Sequence, residues 1–412
     1  MIQAEKLEEI IADQLKAFKA KDFGVKRGVD FQKHLKTNQI TVISGIRRSG
    51  KSTLLFQFSK EFERFYYVNF DDERLVDFTL EDFDTLMLVF HKLYHSRVVF
   101  IDEVQNVERW ELFVRRIYEE GYKVFVTGSN AKLLSSDLAT RLTGRYFKIE
   151  LYPFSFKEYL NFEKVDYGKK DTLTRSKILR NFSDYLTEGG FPEYVRHREA
   201  EFIKRIYEDV LYKDLLVRFK VKETKSFREL AGFLFSNFTK ELSYRSLKNF
   251  LGFKSITSVK NYIGFMQESY LIFELLKYDY SLKKQFVSDK KIYVIDNGMR
   301  NAVAFSFSED SGKMLENLVF VELKRRAKEV YYYKGKKECD FIIREKGKIT
   351  EAIQVTQRIE VDNGTRELGG MSEALERFRL KTGLIITEDQ AGEKKIGSKK
   401  IKIMPAWKWL LE

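Results

Sequence analysis

Cysteine is scarce in this sequence, and long apolar runs are missing altogether. The single cysteine, Cys339, excludes an intrachain disulfide framework and indicates a reducing, cytoplasmic location. No apolar run approaches the roughly 20 residues of a membrane helix, so we expect no membrane partner. Apolar residues near the N-terminus recur at helical spacing among Glu and Lys, which favours an ordinary amphipathic helix over a signal peptide.

Charge, by contrast, is abundant and unbalanced. Charged residues make up 33% of the chain, and the formal net charge is +13. This density predicts solvated faces, while the positive excess favours a polyanionic partner such as DNA. With 43% hydrophobic residues and 412 residues in all, the chain is long enough for several buried cores and two or three domains.

The strongest motif is a strand, loop and helix between Ile40 and Leu55. A short β-branched run, Ile40 to Ser44, predicts a buried strand, and the loop after it matches G-x-x-x-x-G-K-[ST] at every fixed position. The glycines let backbone N–H groups face inward around a polyphosphate, which would lie at a helix N-terminus. The expected nucleotide-binding residues are Gly45, Arg47, Arg48, Ser49, Gly50, Lys51, Ser52 and Thr53.

Within this loop the side chains divide into separate expected roles. Lys51 can reach the β- and γ-phosphates, and the Ser52 hydroxyl can ligate Mg²⁺. Arg47 and Arg48 can contact phosphate or a neighbouring subunit, or they can be surface charges. The loop therefore predicts ATP and Mg²⁺ as cofactors.

A second buried strand ends in two carboxylates. Val98 to Val104 contains four apolar residues followed by Asp102 and Glu103. An apolar strand that ends this way is the second half of a P-loop ATPase. We expect Asp102 to hold Mg²⁺, through water or through Ser52, and Glu103 to polarise the attacking water as a general base.

A third buried strand, Lys123 to Thr127, is followed by Gly128, Ser129 and Asn130. In P-loop folds with an additional strand, this strand lies beside the P-loop strand, so its terminal polar residues can sense the γ-phosphate or position water. Ser129 and Asn130 are the candidates, with Asn130 ahead because its amide both donates and accepts. The alternative role for Asn130 is to cap the helix that starts near Ala131.

With the segment from Leu138 to Leu160 included, the chain resembles a group of archaeal and bacterial AAA-type ATPases whose C-terminal domain looks like a PD-(D/E)XK nuclease. The matching segments are GIRRSGKST, FIDEVQ, VTGSNAKLL, LTGRYFKIELYPFSF and EGGFPEYV. The resemblance continues after them and covers nearly the whole chain. The resemblance implies that Arg145, with Arg141 behind it, is an arginine finger on the γ-phosphate. A finger that acts across an interface would require a homo-oligomer.

The region after the ATPase core predicts a helical lid, Tyr152 to Val221. Within it, Gly189 to Pro192 looks like the G-x-P element that some signalling P-loop ATPases place against the nucleotide. A tight turn between lid helices is the alternative.

From Thr224 the pattern changes to three short helices followed by two β-rich segments. This order describes a winged helix-turn-helix, whose third helix would enter a major groove while its basic wing meets phosphate. We expect the two segments to flank a turn that contains Lys283 and Lys284, and we expect DNA contacts from four lysines. They are Lys254, Lys260, Lys283 and Lys284. A protein-docking module is the alternative.

The C-terminal region carries the elements of a nuclease-like site. A helix with Glu316, a strand with Asp340 and a strand with Gln354 follow the PD-(D/E)XK order, in which the acidic groups supply oxygens to Mg²⁺. The pattern is broken, because Gln354 stands where Glu is usual and Thr356 where Lys is expected. Glu338 shares a face with Asp340 and can compensate. We expect a nuclease-like fold, with DNA binding or assembly favoured over cleavage.

Together these patterns predict an α/β protein with a P-loop, AAA-type parallel sheet, a helical lid, a winged helix-turn-helix and a C-terminal PD-(D/E)XK-like α/β domain. The expected boundaries are 1–152 for the N-terminal helix and ATPase core, 153–222 for the lid, 223–300 for the winged helix and 301–412 for the nuclease-like domain. The expected function is Mg-dependent ATP hydrolysis by a homo-oligomer that binds or remodels DNA. The alternatives are an ATP-gated signalling switch and an ATP-controlled nuclease.

Overall fold

The computed structural model describes residues 2–129, 142, 144–169, 171–304 and 310–412, and the side chains of residues 361–366 are outside that description. The chain divides into two compact units, Met1–Tyr152 and Pro153–Glu412. Two residues singled out above, Asn130 and Arg141, lie outside the described residues. The division of the second unit into three domains stays a prediction.

A five-stranded parallel sheet forms the first unit. Its strands are β1 (Ile40–Ser44), β2 (Tyr66–Asn69), β3 (Val98–Asp102), β4 (Lys123–Gly128) and β5 (Tyr146–Glu150). They lie in the order β2-β3-β4-β1-β5, so β4 is beside β1, which is the neighbour expected for an additional-strand P-loop fold. Ser44 is aligned with Gly128, which brings the carboxyl ends of β1 and β4 to one edge of the sheet.

Both faces of this sheet are covered, which explains the continuous apolar runs of its strands. On β1, Ile40 and Val42 belong to one buried cluster and Ile43 to another, because successive strand side chains point to opposite faces. The predicted N-terminal amphipathic helix buries Leu7 and Ile10 in the first of these clusters. The helices of this unit are α1 (Ala4–Lys19), α2 (Phe31–Lys36), α3 (Lys51–Ser59), α4 (Asp82–Leu93) and α5 (Trp110–Glu119).

Helices fill the first part of the second unit. They are α6 (Phe156–Phe162), α7 (Thr172–Glu188), α8 (Pro192–His197) and α9 (Ala200–Asp209), followed by the π-helical segment Val210–Val217. The turn between α7 and α8 is held inside this unit, because the Gly190 amide donates to Asp296 Oδ2 at 2.8 Å. A Cβ on Gly189 would lie 2.0 Å from Asp296 Oδ1, so this turn requires glycine. Its approach to a nucleotide stays a prediction.

A small antiparallel sheet packs with short helices in the middle of the second unit. The elements are α10 (Thr224–Ser236), β6 (Glu241–Leu242), α11 (Tyr244–Phe250), α12 (Ile256–Glu268), β7 (Ile272–Leu276), α13 (Leu282–Val287) and β8 (Lys290–Val294). The strand order is β6-β8-β7. The turn predicted around Lys283 and Lys284 is instead the helix α13, whose N-cap Ser281 accepts a hydrogen bond from the Lys284 amide.

A six-stranded mixed sheet forms the last part of the second unit. The elements are α14 (Asn297–Val303), α15 (Ser311–Arg325), β9 (Glu329–Lys334), β10 (Glu338–Glu345), β11 (Lys348–Val355), α16 (Val361–Arg377), β12 (Thr382–Thr387), β13 (Gly392–Ile396), β14 (Lys399–Pro405) and α17 (Ala406–Leu410). The strand order is β13-β14-β12-β11-β10-β9, in which only the pairs β11-β12 and β12-β14 are parallel. In the part of the chain described here, no helix is both long and apolar enough to span a bilayer.

Candidate functional site

The loop between β1 and α3 has the backbone geometry of a phosphate cradle. Gly50, at the N-cap of α3, has a φ of 94°, a left-handed conformation that glycine adopts without strain. A Cβ on Gly45 would lie 2.0 Å from the Leu151 carbonyl oxygen, so a larger residue does not fit there. The two motif glycines are therefore required by this fold, and the loop leads directly into a helix N-terminus.

An arginine that the sequence motifs did not identify braces this loop. The buried Arg27 guanidinium donates to the Ser49 carbonyl at 2.6 Å and to the Tyr152 carbonyl at 2.7 Å. One planar side chain thus joins the phosphate loop to the end of the first unit. Nothing in the local sequence pattern distinguishes Arg27, because both of its carbonyl partners are remote in the chain.

Lys51 and Glu103 form a close pair at the mouth of the loop. The Lys51 ammonium lies 3.5 Å from Glu103 Oε1 and donates to the Ile46 carbonyl at 3.3 Å. Burial acts to raise the pKa of Glu103, but the Lys51 charge and the hydrogen bond from Gln105 outweigh it and hold that pKa below its usual value. Glu103 is therefore ionised at neutral pH, which is the state that a general base needs.

Asp102 is buried beside the first residues of α3. Its carboxylate accepts hydrogen bonds from Ser52 and Thr127, and from the Tyr67 hydroxyl at 3.3 Å. Burial, followed by the adjacent Glu103 charge, raises the pKa of Asp102. The structure thus brings Ser52 and Asp102 together as the sequence predicted. Thr127 and Tyr67 were missed, and the polar Thr127 inside the apolar strand β4 was the available signal.

Polar side chains lie beside the phosphate loop. Ser129, at the end of β4, lies 3.4 Å from the Gln105 amide, which donates to Glu103 at 2.5 Å. Within the described residues, Ser49 Oγ and Gln105 Oε1 are buried and have no hydrogen-bond partner. A polyphosphate and its waters would satisfy such atoms, so the residues present fit Mg-ATP.

The predicted arginine finger lies next to the amino end of β1, at the opposite end of that strand from the phosphate loop. Arg145 immediately precedes β5, and its carbonyl accepts from the Ile40 amide at the start of β1, whereas the phosphate loop follows the end of β1. The Arg145 side chain is partly exposed and pairs with Glu119. In the loop itself, Arg47 is half-buried and close enough to Glu103 to lower its pKa, while Arg48 is exposed with a φ of 64°. Thr53 lies in the first turn of α3.

The predicted nuclease-like residues surround a lysine. Glu316 and Asp340 come together, but the ammonium of Lys291 from β8 lies 3.0 Å from Glu316 and 3.5 Å from Asp340. Gln354 donates to Glu367 at 2.7 Å. Burial and the Glu316 charge raise the pKa of Asp340 to about 8. Within the described residues, no group of three or more His, Cys, Asp or Glu is arranged to hold a metal ion.

The four lysines predicted to contact DNA are all exposed. Lys254 precedes α12, and Lys260 lies on α12 with its ammonium 5.5 Å from the centre of the Tyr244 ring. Lys283 and Lys284 lie on α13. The structure therefore places them on two helices of the same small subdomain.

The chain matches two protein-family models. The model of the AAA domain matches residues 37–160, and the model described as "Domain of unknown function (DUF8612)" matches residues 179–310. Together with the strand order and the phosphate loop, the first match defines an AAA-type P-loop ATPase domain.

Two relatives match almost end to end. Uncharacterized protein MJ1544 of Methanocaldococcus jannaschii is 36% identical over 98% of this chain and 95% of its own length. An uncharacterized protein of Haemophilus influenzae is 30% identical over 91% of this chain and 95% of its own. The chain belongs to the same family as these two proteins.

Solved structures resemble the chain only distantly. DnaA from Aquifex aeolicus bound to AMPPCP is 17% identical, with 57% of this chain and 85% of that chain covered and a TM-score of 0.26. C. elegans PCH-2 is 14% identical, with 38% and 44% covered and a TM-score of 0.23. TM-scores this low support no conclusion about function.

Proposed function

We propose that this protein is a Mg-dependent, ATP-hydrolysing AAA-type protein that binds or remodels DNA. The observation that carries the ATPase part is the convergence of four groups at the carboxyl ends of β1 and β3. They are Lys51, Ser52, Asp102 and Glu103. Bound Mg-ATP supplies the phosphoryl group and the metal charge.

Each of these groups has a distinct role in hydrolysis. Lys51 would neutralise phosphate oxygens, and Ser52 and Asp102 are the residues that would hold Mg²⁺. Glu103, kept ionised by Lys51, accepts a proton from the attacking water. Ser129 and Gln105 form the polar wall beside that carboxylate.

The DNA part of the proposal is supported by the middle of the second unit. Its order is helix, strand, two helices and then two strands separated by the short helix α13, with the sheet order β6-β8-β7. Apart from α13, this is the order that we expect of a winged helix. In such a fold the helix α12 would enter a groove. Lys254 and Lys260 at α12, and Lys283 and Lys284 on α13, present positive charge on exposed surface. The net charge of +13 adds to the attraction.

The experiment is ATPase turnover and DNA binding across a range of salt concentrations. Duplex, forked and single-stranded DNA are each added, and we expect turnover to rise with at least one of them. Counterion release from four to six phosphates predicts that log K falls with log salt at a slope of roughly −4 to −5. Changing Lys260, Lys283 and Lys284 together to Glu should weaken binding to all sequences alike and leave ATP affinity intact.

A matched control separates local contacts from net charge. Lys394 and Lys395 on β13 and Lys402 on β14 are also exposed, and their change to Glu alters the net charge equally. We expect this control to keep most of the DNA affinity. Equal loss in both triple variants, or salt-independent binding, would contradict the assignment of DNA to α12 and α13.

A signalling switch gated by ATP is the second candidate function. The observation favouring it is the apolar surface of α13, where Leu282, Phe286 and Val287 are 65–77% exposed beside the two lysines. Exposed apolar side chains of this kind are typical of protein docking. DNA-independent turnover, together with unchanged DNA affinity in the triple variant, would make the switch the better proposal.

A further inference from the structure

A lysine ammonium lies at the centre of the acidic cluster in the second unit. Lys291 Nζ is 2.6 Å from Glu338 Oε1, 3.0 Å from Glu316 Oε1 and 3.5 Å from Asp340 Oδ1. Only 4% of the Lys291 side chain is exposed. Three carboxylates thus share one buried cation that the chain itself supplies.

The fold delivers this cation from a different sheet. Lys291 and Tyr293 lie two residues apart on β8, so they face the same side of that strand. The Tyr293 hydroxyl donates to the same Glu316 oxygen that Lys291 contacts, at 2.6 Å. Glu316 lies on α15, whereas Glu338 and Asp340 lie on β10. The cluster therefore joins the small sheet to the six-stranded sheet.

The remaining ligand groups of a nuclease site are also engaged with protein. Asp340 Oδ2 accepts the Val355 amide at 2.9 Å, and Gln354 Oε1 accepts the Asp340 amide at 3.3 Å. A divalent ion needs carboxylate oxygens at about 2.0–2.6 Å around one centre. Here the positively charged Lys291 ammonium occupies that centre, so Mg²⁺ does not fit.

We propose that Lys291 is a built-in replacement for the metal ion of a nuclease-like site and holds β8 to α15 and β10. The C-terminal sheet then needs no metal to fold, and it does not hydrolyse phosphodiesters. The role of the cluster is to join the lysine-bearing subdomain to the C-terminal sheet. This inference goes beyond the proposed ATPase and DNA activities and does not depend on either.

If Lys291 takes the place of a metal ion, its removal should create a metal-binding site as well as lower stability. Removal of the ammonium leaves the three carboxylates without their shared cation, and a divalent cation that draws their oxygens together can then take its place. Lys291→Ala should therefore gain a Mn²⁺ site that the wild-type protein lacks. In EDTA the same variant should melt roughly 5–10 °C lower, because the carboxylates lose their partner, and Mn²⁺ should recover at least part of that loss.

The experiment measures melting temperature and Mn²⁺ binding, without nucleotide, on the full chain. The single variant Lys291→Ala is compared with the double variant that also carries Glu316→Gln. Any Mn²⁺ bound at the phosphate loop is common to both, so the difference between them reports the cluster alone. Lys291→Arg keeps the cation and should gain no metal. Lys290→Ala is the matched neighbour control, because Lys290 is also buried on β8 but donates to the carbonyls of Phe286 and Ser288.

Mn²⁺ binding by these variants either supports or overturns the proposal. Mn²⁺ binding by Lys291→Ala that disappears with Glu316→Gln, and is absent from the wild type and from Lys290→Ala, supports the proposal. Wild-type Mn²⁺ binding that depends on Glu316, or Mg-dependent DNA cleavage lost in Glu316→Gln, overturns it. If Lys291→Ala does not fold, Lys291→Met is used, since it keeps most of the buried stem. A folded variant that gains no Mn²⁺ site also overturns the proposal.

Discussion

At the scale of single residues, the candidate ATPase site depends on one pair of opposite charges. Lys51 begins α3, Glu103 follows β3, and the two side chains lie 3.5 Å apart. In the proposed reaction Lys51 would bind phosphate and Glu103 would activate water, so the two side chains would serve separate steps. The Lys51 charge also helps to hold the pKa of Glu103 below its usual value.

Replacing Lys51 should impair ATP binding, whereas replacing Glu103 should impair hydrolysis. Lys51→Ala should abolish ATP binding, because the ammonium that neutralises the phosphates is lost. Glu103→Gln should keep ATP binding but lower turnover roughly 10²–10⁴-fold, because an amide cannot accept the proton of the attacking water. Equilibrium binding of a fluorescent ATP analogue and steady-state phosphate release measure the two quantities.

Glu108→Gln is the control for loss of a carboxylate nearby. Glu108 is exposed and lies in the segment just after the Val104–Asn106 turn. We expect this variant to hydrolyse ATP like the wild type. Turnover by Glu103→Gln at the wild-type rate would show that the base assignment is wrong.

At the scale of elements, the segment between α1 and α2 supports the phosphate loop through Arg27. Arg27→Met leaves the Ser49 and Tyr152 carbonyls without this donor, so the free energy of unfolding should fall by about 1–3 kcal/mol. The loop should also bind ATP more weakly, because its backbone is no longer held in one conformation. Urea unfolding and ATP titration measure the two effects.

The control for this brace is an exposed arginine in the same unit. Arg74 is 38% exposed and pairs with Asp72 and Asp13, so Arg74→Met should cost less than about 1 kcal/mol and leave ATP affinity unchanged. Arg27→Lys should restore only part of the affinity, since one ammonium cannot reproduce a two-carbonyl fork. Wild-type ATP affinity in Arg27→Met would limit Arg27 to a purely structural role.

Elements whose patterns are local could be predicted, and those that depend on packing could not. The strand before Gly45 and the apolar strand ending at Asp102 follow from β-branched runs next to a glycine loop and an acidic turn. The connection that contains Lys283 is different. Its basic residues indicate a loop, yet Ser281 caps a short helix there and Gln285 is buried against the subdomain.

At the scale of the whole molecule, the missed residues are those whose partners are distant in sequence. Arg27 contacts a carbonyl 125 residues away, and Lys291 contacts carboxylates 25 and 49 residues away. The sequence pattern singled out Glu316 and Asp340, which both contact Lys291, but it did not contain that cation. Spacing rules describe one element at a time, so a group delivered by another sheet leaves no local signal.

The position of Arg145 has a consequence for assembly. Its backbone is hydrogen-bonded at the start of β1, and β1 rises about 13 Å along its length before the phosphate loop begins. The Arg145 backbone therefore lies at the amino end of β1, whereas the phosphate loop follows the carboxyl end of that strand. If it is an arginine finger, it acts on the nucleotide of a neighbouring copy, and the active form is a homo-oligomer.

Mixed subunits test this assembly directly. Arg145→Ala should lower turnover by about 10³-fold or more with little change in ATP affinity, and ATP should promote assembly of the wild type. Mixing Arg145→Ala with Glu103→Gln subunits should restore part of the activity, because some interfaces then join an intact Glu103 to an intact Arg145. Arg115→Ala, which removes another exposed partner of Glu119, is the control and should keep normal turnover. Mixtures as inactive as the separate variants would contradict a finger acting between subunits.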